Sequence, residues 1–181
     1  MPVPEWTTPT TFTVGHIETA DELNVVLRDN MNFLHAAKAV SVYRATPAQS
    51  ISNNTSTAIV FNTETYDPWA LHSTSTNPSR ITIPDTLEGI WRFTGTVQFA
   101  ANATGNRELY LAKNGTDIAK RARAALASGA CTLDITTLTI MSENDYVELK
   151  VLQASGGNLD VDFGAELTAL HGTFIGFTAS A

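Results

Sequence analysis

Residues 89–100, GIWRFTGTVQFA, are the stretch that decides the fold, because the side chains from Trp91 to Phe99 alternate between two kinds. The apolar set is Trp91, Phe93, Val97 and Phe99, and the polar set is Arg92, Thr94, Thr96 and Gln98. A period of two places the sets on opposite faces of a β-strand, and aromatic and β-branched residues favour that conformation. We therefore predict a strand with one face in a hydrophobic core.

Shorter segments with the same alternation lie on both sides of this strand. They begin at Val40 and otherwise span residues 58–61, 80–83, 107–113, 131–140, 145–152 and 161–177. Asn114-Gly115 is a strong hairpin-turn signal. The loop 62–78 should be pinned by Trp69 and Leu71, and Cys131 should be a core residue. Eight or more short strands with no helix among them predict an antiparallel sandwich or jelly roll.

Two of these segments depart from simple alternation. In residues 131–140 the apolar phase slips near Thr136 and Thr137, which predicts a bulge or a break in the strand. The segment 161–177 becomes apolar on both parities towards its end. Such a strand is either central in its sheet or covered by a partner subunit.

Residues 19–38, TADELNVVLRDNMNFLHAAK, predict one amphipathic helix. Thr19 and Glu22 have the spacing of a capping box, in which each side chain binds the other residue's free backbone amide. A helical period puts one stripe on a single face: Leu23, Val26, Leu27, Asn30, Met31, Leu34 and Ala37. Asn30 is the polar exception, and a polar core residue fixes register and strand number in coiled coils.

The helix has two interpretations. It could pack on its own domain, or it could form a short parallel bundle of identical helices. We favour a three-chain bundle, because Val25 and Phe33 lie off the stripe and a two-chain coil leaves them in water. The predicted helix interface of the trimer is Leu23, Val26, Leu27, Asn30, Met31 and Leu34.

The segment before the helix predicts an extended arm, because prolines at positions 2, 4 and 9 oppose a helix. It carries Trp6, Phe12 and Ile17, which it cannot bury by itself. We therefore predict that these residues attach to a neighbouring copy or to a larger assembly; the alternative is a flexible tail. The predicted organisation is an attachment arm and helix over residues 1–39 and a head domain over 40–181.

Composition excludes several classes of function. The chain of 181 residues has a net charge of −7, which argues against nucleic-acid binding. The basic cluster Lys120, Arg121 and Arg123 is interpreted as a solvated strand edge. The single cysteine rules out an internal disulfide. The N-terminus lacks the pattern of a signal peptide, and no apolar run has the length of a membrane span, so we expect synthesis in a cytoplasm without membrane insertion.

No catalytic pattern is present. The chain has no nucleophile elbow, phosphate loop, dinucleotide fingerprint or zinc-protease motif. Its four histidines, His16, His35, His72 and His171, show no ligand spacing, and Asp160 with Asp162 supplies too few oxygens for calcium. We predict a protein that is not an enzyme, with no catalytic residue, cofactor or metal.

The order of the motifs in the head resembles the C1q/TNF-like jelly roll. The resemblance rests on Gly89 with Trp91 and Phe93, Lys113-Asn114-Gly115, Asp145 with Val147 and Leu149, and Phe174 with Gly176 and Phe177. It covers about residues 40–178. It implies an antiparallel jelly-roll sandwich that assembles as a tight homotrimer. We assign Tyr110 and Phe174 to the head interface of that trimer.

The front of the chain is similar to the opening of many bacteriophage structural proteins. The shared features are Trp6 with Pro9, the run from Gly15 through Thr19-Ala20 to Leu23-Asn24, and Arg28-Asp29-Asn30. The two resemblances together imply a virion structural protein, assembled in the host cytoplasm, that binds the major capsid protein or tail proteins. We favour capsid decoration or a head fibre, because a short helix leaves no shaft. The alternative is a tail fibre or minor tail protein whose head binds a host glycan or protein.

Overall fold

The computed structural model describes residues 6–178; residues 1–5, which include the first two prolines of the predicted arm, and residues 179–181 lie outside the described part. The chain divides into two compact units, Met1–Lys38 and Ala39–Ala181. None of the described helices is long and apolar enough to cross a membrane.

The N-terminal unit contains one helical run preceded by a segment without regular structure. Helix α1 spans Ala20–Leu23, a π-helical segment spans Asn24–Asp29, and helix α2 spans Asn30–His35. Thr19 caps the start, and both hydrogen bonds of the predicted capping box are present: the Glu22 amide donates to the Thr19 hydroxyl, and the Thr19 amide donates to the Glu22 carboxylate.

This helix differs from the prediction in two ways. It ends at His35 instead of Lys38, because Ala36 adopts an extended conformation. Its middle is wound as a π-helix, a form that is rare and often found at functional sites. The backbone stays helical at Asn24 and at Asn30, so the three pieces are continuous.

The second unit is a sandwich of two antiparallel sheets. Its strands are β1 (Ala39–Tyr43), β2 (Gln49–Ile51), β3 (Thr57–Ala58), β4 (Thr63–Tyr66), β5 (Arg80–Thr82), β6 (Gly89–Phe99), β7 (Asn106–Lys113), β8 (Thr116–Ala124), β9 (Cys131–Met141), β10 (Tyr146–Gln153), β11 (Leu159–Val161) and β12 (Thr168–Gly176). Sheet 1 runs β2-β11-β6-β12-β1-β4, with β9 also paired to β6. Sheet 2 runs β3-β10-β7-β8, with β5 also paired to β10. The mainly β, antiparallel fold predicted from the sequence is confirmed.

Strand β6 organises sheet 1, because β9 pairs along one of its sides and β12 along the other. Its predicted apolar set is fully buried, and the buried Trp91 indole donates a hydrogen bond to the Leu87 carbonyl oxygen. Cys131, Trp69 and Leu71 are buried as predicted. Strand β12 lies between β6 and β1, so it has the central position in its sheet that was one of the two alternatives predicted for it.

The predicted break in residues 131–140 is wrong. Strand β9 pairs with β6 continuously from Gly89–Met141 to Phe99–Cys131, without a register shift. The alternation of side chains therefore never slips. What changes is chemistry: beyond Thr136 the outward positions are taken by Leu138 and Ile140, and both are exposed.

The turn motif Lys113-Asn114-Gly115 has a structural role. Asn114 and Gly115 both have positive φ angles, as a tight two-residue hairpin requires. The Lys113 ammonium pairs with the Asp145 carboxylate at 2.7 Å, and the Asn114 amide donates to the same carboxylate at 2.6 Å. The Asn114 side-chain oxygen accepts a bond from the Tyr146 amide. These contacts tie the β7–β8 hairpin to the start of β10.

Gly105→Ala should destabilise the head by about 3 kcal/mol. Gly105 has a φ of +75°, and a Cβ there would overlap the Ala154 backbone carbonyl. Gly156→Ala is the control, because Gly156 also has a positive φ but open space around the added Cβ. It should cost only about 1 kcal/mol. Urea unfolding of both variants measures the difference, and equal losses would contradict the described packing at Gly105.

Candidate self-association surfaces

The apolar stripe of the helix is uncovered in a single chain. Leu27, Met31 and Leu34 are spaced four and three residues apart and are 54%, 65% and 63% exposed. Leu23 at the start of the stripe is exposed as well, and Val26 is half-buried. Large apolar side chains at helical spacing favour a second helix or a docking surface.

Asn30 differs from the other members of the predicted helix interface. It is buried, and its side chain makes two hydrogen bonds to the main chain of Thr7. The Thr7 amide donates to Asn30 Oδ1 at 2.9 Å, and Asn30 Nδ2 donates to the Thr7 carbonyl oxygen at 2.7 Å. Asn30 therefore fastens the arm to the helix of its own chain. Its assignment to a trimer seam stays a prediction.

The arm packs partly on its own helix. The Trp6 ring lies 5.9 Å from the Phe33 ring, centroid to centroid, and Phe33 is fully buried. Phe12 stacks on His16 but stays about half exposed, and Ile17 is 86% exposed. Trp6 thus has a partner within the chain, whereas Phe12 and Ile17 remain available to the attachment predicted for them.

Sheet 1 carries an exposed apolar patch on its outer face. Ile90 and Ile140 are directly opposite each other across β6 and β9, and Arg92 is opposite Leu138. Leu138, Ile140 and Ile175 are 62%, 57% and 53% exposed. Directly opposed residues touch across antiparallel strands, so Ile90, Leu138 and Ile140 form one surface. Ile175 lies on β12 where its register with β6 shifts, next to Gly176, which is opposite Ile90. We call Ile90, Leu138, Ile140 and Ile175 the sheet patch.

The other end of the same face is polar and internally paired. Cross-strand hydrogen bonds join Thr94 to Thr136 at 3.1 Å, Thr96 to Asp134 at 2.8 Å and Gln98 to Thr132 at 3.0 Å. His171 on β12 is hydrogen-bonded to the Ser41 hydroxyl at 2.9 Å, and burial lowers its pKa. The outer face therefore changes from a hydrogen-bonded polar half to an apolar half.

Tyr110 lies on sheet 2, in a small charged network. Its hydroxyl donates to the Glu108 carboxylate, and the Lys120 ammonium lies 2.9 Å from the same carboxylate. Burial and the bond to Glu108 raise the pKa of Tyr110, and the bonds from Tyr110 and Lys120 lower the pKa of Glu108. The half-buried ring thus has partners in its own chain, and its role in a trimer stays a prediction.

Phe174 lies in an aromatic cluster of its own subunit. Its ring meets Trp91 edge-on at 5.5 Å and Phe177 edge-on at 4.9 Å. Trp91 also stacks on Phe93. These contacts give Phe174 and Phe177 aromatic partners within the chain. Ile175 and Phe177 are both about half exposed. The interface role predicted for Phe174 is likewise untested.

A polar groove opens where the edge strands β8 and β9 face each other. It has a volume of about 360 Å³ and is lined by Arg121, Arg123, Thr132 and Asp134 among others. In the register of sheet 2, Arg123 is directly opposite the buried Arg107. The basic cluster predicted as a solvated edge therefore also borders a concave surface.

Two features were missed from the sequence. The sheet patch was hidden by the interpretation of the Thr136–Thr137 phase change as a break in the strand. The histidines were judged to lack ligand spacing, yet the turn before α1 brings His16 next to Glu18 and Glu22, which together have the atoms and spacing to hold a metal ion. The signal was the order His16-x-Glu18-x-x-x-Glu22 across a helix start.

Comparison with solved structures identifies the fold. The globular domain of the zebrafish complement 1qA protein matches with a TM-score of 0.55 and 14% identity, over 77% of this chain and 98% of that one. Murine APRIL matches with a TM-score of 0.57 and 13% identity, over 76% of this chain and 100% of that one. Eiger TNF from S. frugiperda matches with a TM-score of 0.55 and 9% identity, over 80% and 96%. No model of a known protein family and no curated protein sequence matches the chain.

Asn30→Ala should release the arm. It removes both hydrogen bonds to Thr7 and leaves the Thr7 backbone groups without these partners, at a cost of about 1–3 kcal/mol. Amide hydrogen exchange at Thr7 should accelerate by roughly 5- to 150-fold. Asn32→Ala, an exposed position on the same helix, should leave the exchange rate unchanged. Unchanged protection at Thr7 in the Asn30 variant would contradict the described pairing.

Proposed function

We infer that this protein works by association, an inference supported by the C1q/TNF-like jelly roll of the head and by two exposed apolar surfaces. We propose that it is a bacteriophage virion structural protein, a homotrimeric surface appendage anchored by its N-terminal arm and helix. The observation that carries the proposal is that the helix stripe and the sheet patch are both uncovered in one copy. We favour capsid decoration or a head fibre.

A homotrimer is the assembly that best accounts for these surfaces. Three parallel helices can bury Leu27, Met31 and Leu34 against their counterparts, and three heads can bury their sheet patches around a common axis. Around a threefold axis, each surface contacts the same surface on the other two copies, so the symmetry is closed. Each Å² of apolar surface buried between the copies stabilises such an assembly by about 25 cal/mol of free energy.

The attachment role is supported by the division of the chain. The arm has exposed Phe12, Val14 and Ile17, and these apolar side chains lie in a segment without regular structure. Extended apolar segments bind by adding to or lying on a partner surface. The sequence similarity of residues 6–34 to the openings of bacteriophage structural proteins supports a virion partner, either the major capsid protein or tail proteins.

A tail fibre or minor tail protein whose head binds the host surface is the second candidate. The groove at Arg121 and Arg123 favours it, because a concave site with two guanidinium groups suits carboxylate groups of a host glycan or protein. Binding of the trimeric head to glycan arrays or host cells, lost in Arg121→Ala, would support this candidate over capsid decoration.

Ile140→Asp should dissociate the trimer. An interfacial carboxylate in each copy costs several kcal/mol to desolvate, which we expect to raise the dissociation constant at least about 100-fold. Ile118→Asp is the matched control, because Ile118 is an exposed isoleucine on β8, in sheet 2. Sedimentation velocity at micromolar concentration should show monomers for the first variant and trimers for the second. A monomeric unmodified protein would contradict the proposal.

Leu34→Asp should loosen the helix bundle without unfolding the head. The substitution places a charge in the exposed stripe, while the head has its own core. We expect lower helical circular dichroism and faster proteolysis before residue 39, with an unchanged thermal transition of the head. Loss of the head's transition would refute the separation of the two units.

Imaging of intact particles tests the location. Capsid decoration predicts many trimers per particle at symmetry-related capsid positions. A copy number of only a few, confined to the tail, would favour the second candidate.

A further inference from the structure

Three side chains at the start of the helix bring potential metal ligands together. His16 Nε2 lies 3.3 Å from Glu22 Oε1 and 3.9 Å from Glu18 Oε2. All three ligand atoms lie within 4.8 Å of one another. His16 and Glu18 come from the segment before the helix, and Glu22 comes from the first turn of α1.

These separations match a small coordination sphere. Zinc binds imidazole nitrogen at about 2.0–2.1 Å and carboxylate oxygen at about 2.0–2.2 Å, so neighbouring ligands of a tetrahedral site are roughly 3.4 Å apart. The His16–Glu22 separation of 3.3 Å is close to this value. The His16–Glu18 separation of 3.9 Å is longer, and a small rotation of either side chain would shorten it. Calcium and magnesium prefer more ligands, all of them oxygen, so the nitrogen favours zinc.

One oxygen of the Glu18 carboxylate has no hydrogen-bond partner, and a metal ion could bind it. Its Oε2 atom is buried and has no hydrogen-bond partner in the described structure. A carboxylate oxygen that is shielded from water and has no partner destabilises the folded chain. The Nε2 atom of the His16 ring lies 3.9 Å from Glu18 Oε2, which is too far for a hydrogen bond. A cation between the two groups would remove that cost.

The other two ligands are held in place by contacts outside the cluster. Glu22 uses its Oε2 atom to accept bonds from the Thr19 amide and hydroxyl, both at 2.7 Å, which leaves Oε1 directed at His16. The His16 ring stacks on Phe12. Outer contacts of this kind orient ligands in metal sites.

We propose that His16, Glu18 and Glu22 bind Zn²⁺, with water in the fourth position. The ion joins the segment before the helix to the first turn of the helix. It therefore stabilises the N-terminal unit at the place where the arm enters the helix. The proposal rests on the three side chains and does not depend on the proposed function.

Metal titration of the full-length protein tests the site. After treatment with a chelator, the protein at pH 7 is titrated with Zn²⁺ by calorimetry and with Co²⁺ by visible absorption. We expect one site per chain and the strong d–d absorption of four-coordinate Co²⁺ between about 500 and 650 nm. His16→Ala and Glu18→Gln should each weaken Zn²⁺ binding at least about tenfold. Glu22 is left intact because it also caps the helix.

His35→Ala is the matched control, since His35 is an exposed histidine in the same unit. It should bind both metals as the unmodified protein does, and circular dichroism should show that all variants keep the helix. The proposal is overturned if the unmodified protein gives no four-coordinate Co²⁺ spectrum. It is also overturned if His16→Ala and Glu18→Gln bind Zn²⁺ as tightly as His35→Ala.

Discussion

The unbroken pairing of β6 with β9, together with its pairing on the other side with β12, is the constraint on which the head depends. Because side chains alternate with a period of two, a register slip of one residue would expose the buried side chains of β6 to solvent. Close packing enforces the register: a Cβ on Gly95 would overlap the Leu149 side chain of the facing sheet. With β9 fixed over its whole length, Leu138 and Ile140 have no alternative to the outer face.

The two units solve the same problem in the same way. The helix turns Phe33 and Asn30 towards its own arm and leaves Leu27, Met31 and Leu34 in water. The head encloses Trp91 and Phe93 between its sheets and leaves the sheet patch in water. In each unit the apolar residues that its own chain covers and those that it leaves bare fall on different faces. A single copy is folded but incompletely covered, which is the physical basis of the proposed trimer.

Much of the fold follows from local pattern, and the surfaces do not. Alternation in β6, β7 and β10, the Asn114-Gly115 turn and the Thr19–Glu22 cap depend on neighbouring residues, so the sequence predicts them. Strands β2 and β4 were not predicted, because their sequences, QSI and TETY, are mostly polar and show no apolar alternation. Strand β4 lies inside the segment 62–78 that was predicted to be a loop. The outward position of Leu138 depends on the register with β6, and Asn30 on a contact with Thr7 across 23 residues. These two features depend on contacts between residues far apart in the sequence, which a local pattern of apolar residues does not specify.

The two hydrogen bonds between Asn30 and Thr7 set a free-energy threshold for any partner that would pull the arm off the helix. A partner that pulls the arm off the helix must first compensate two lost hydrogen bonds and the exposure of the buried Phe33 beside Trp6. A partner that binds weakly leaves these contacts intact. Only a partner whose binding free energy exceeds the free energy lost with these contacts can separate the arm from the helix.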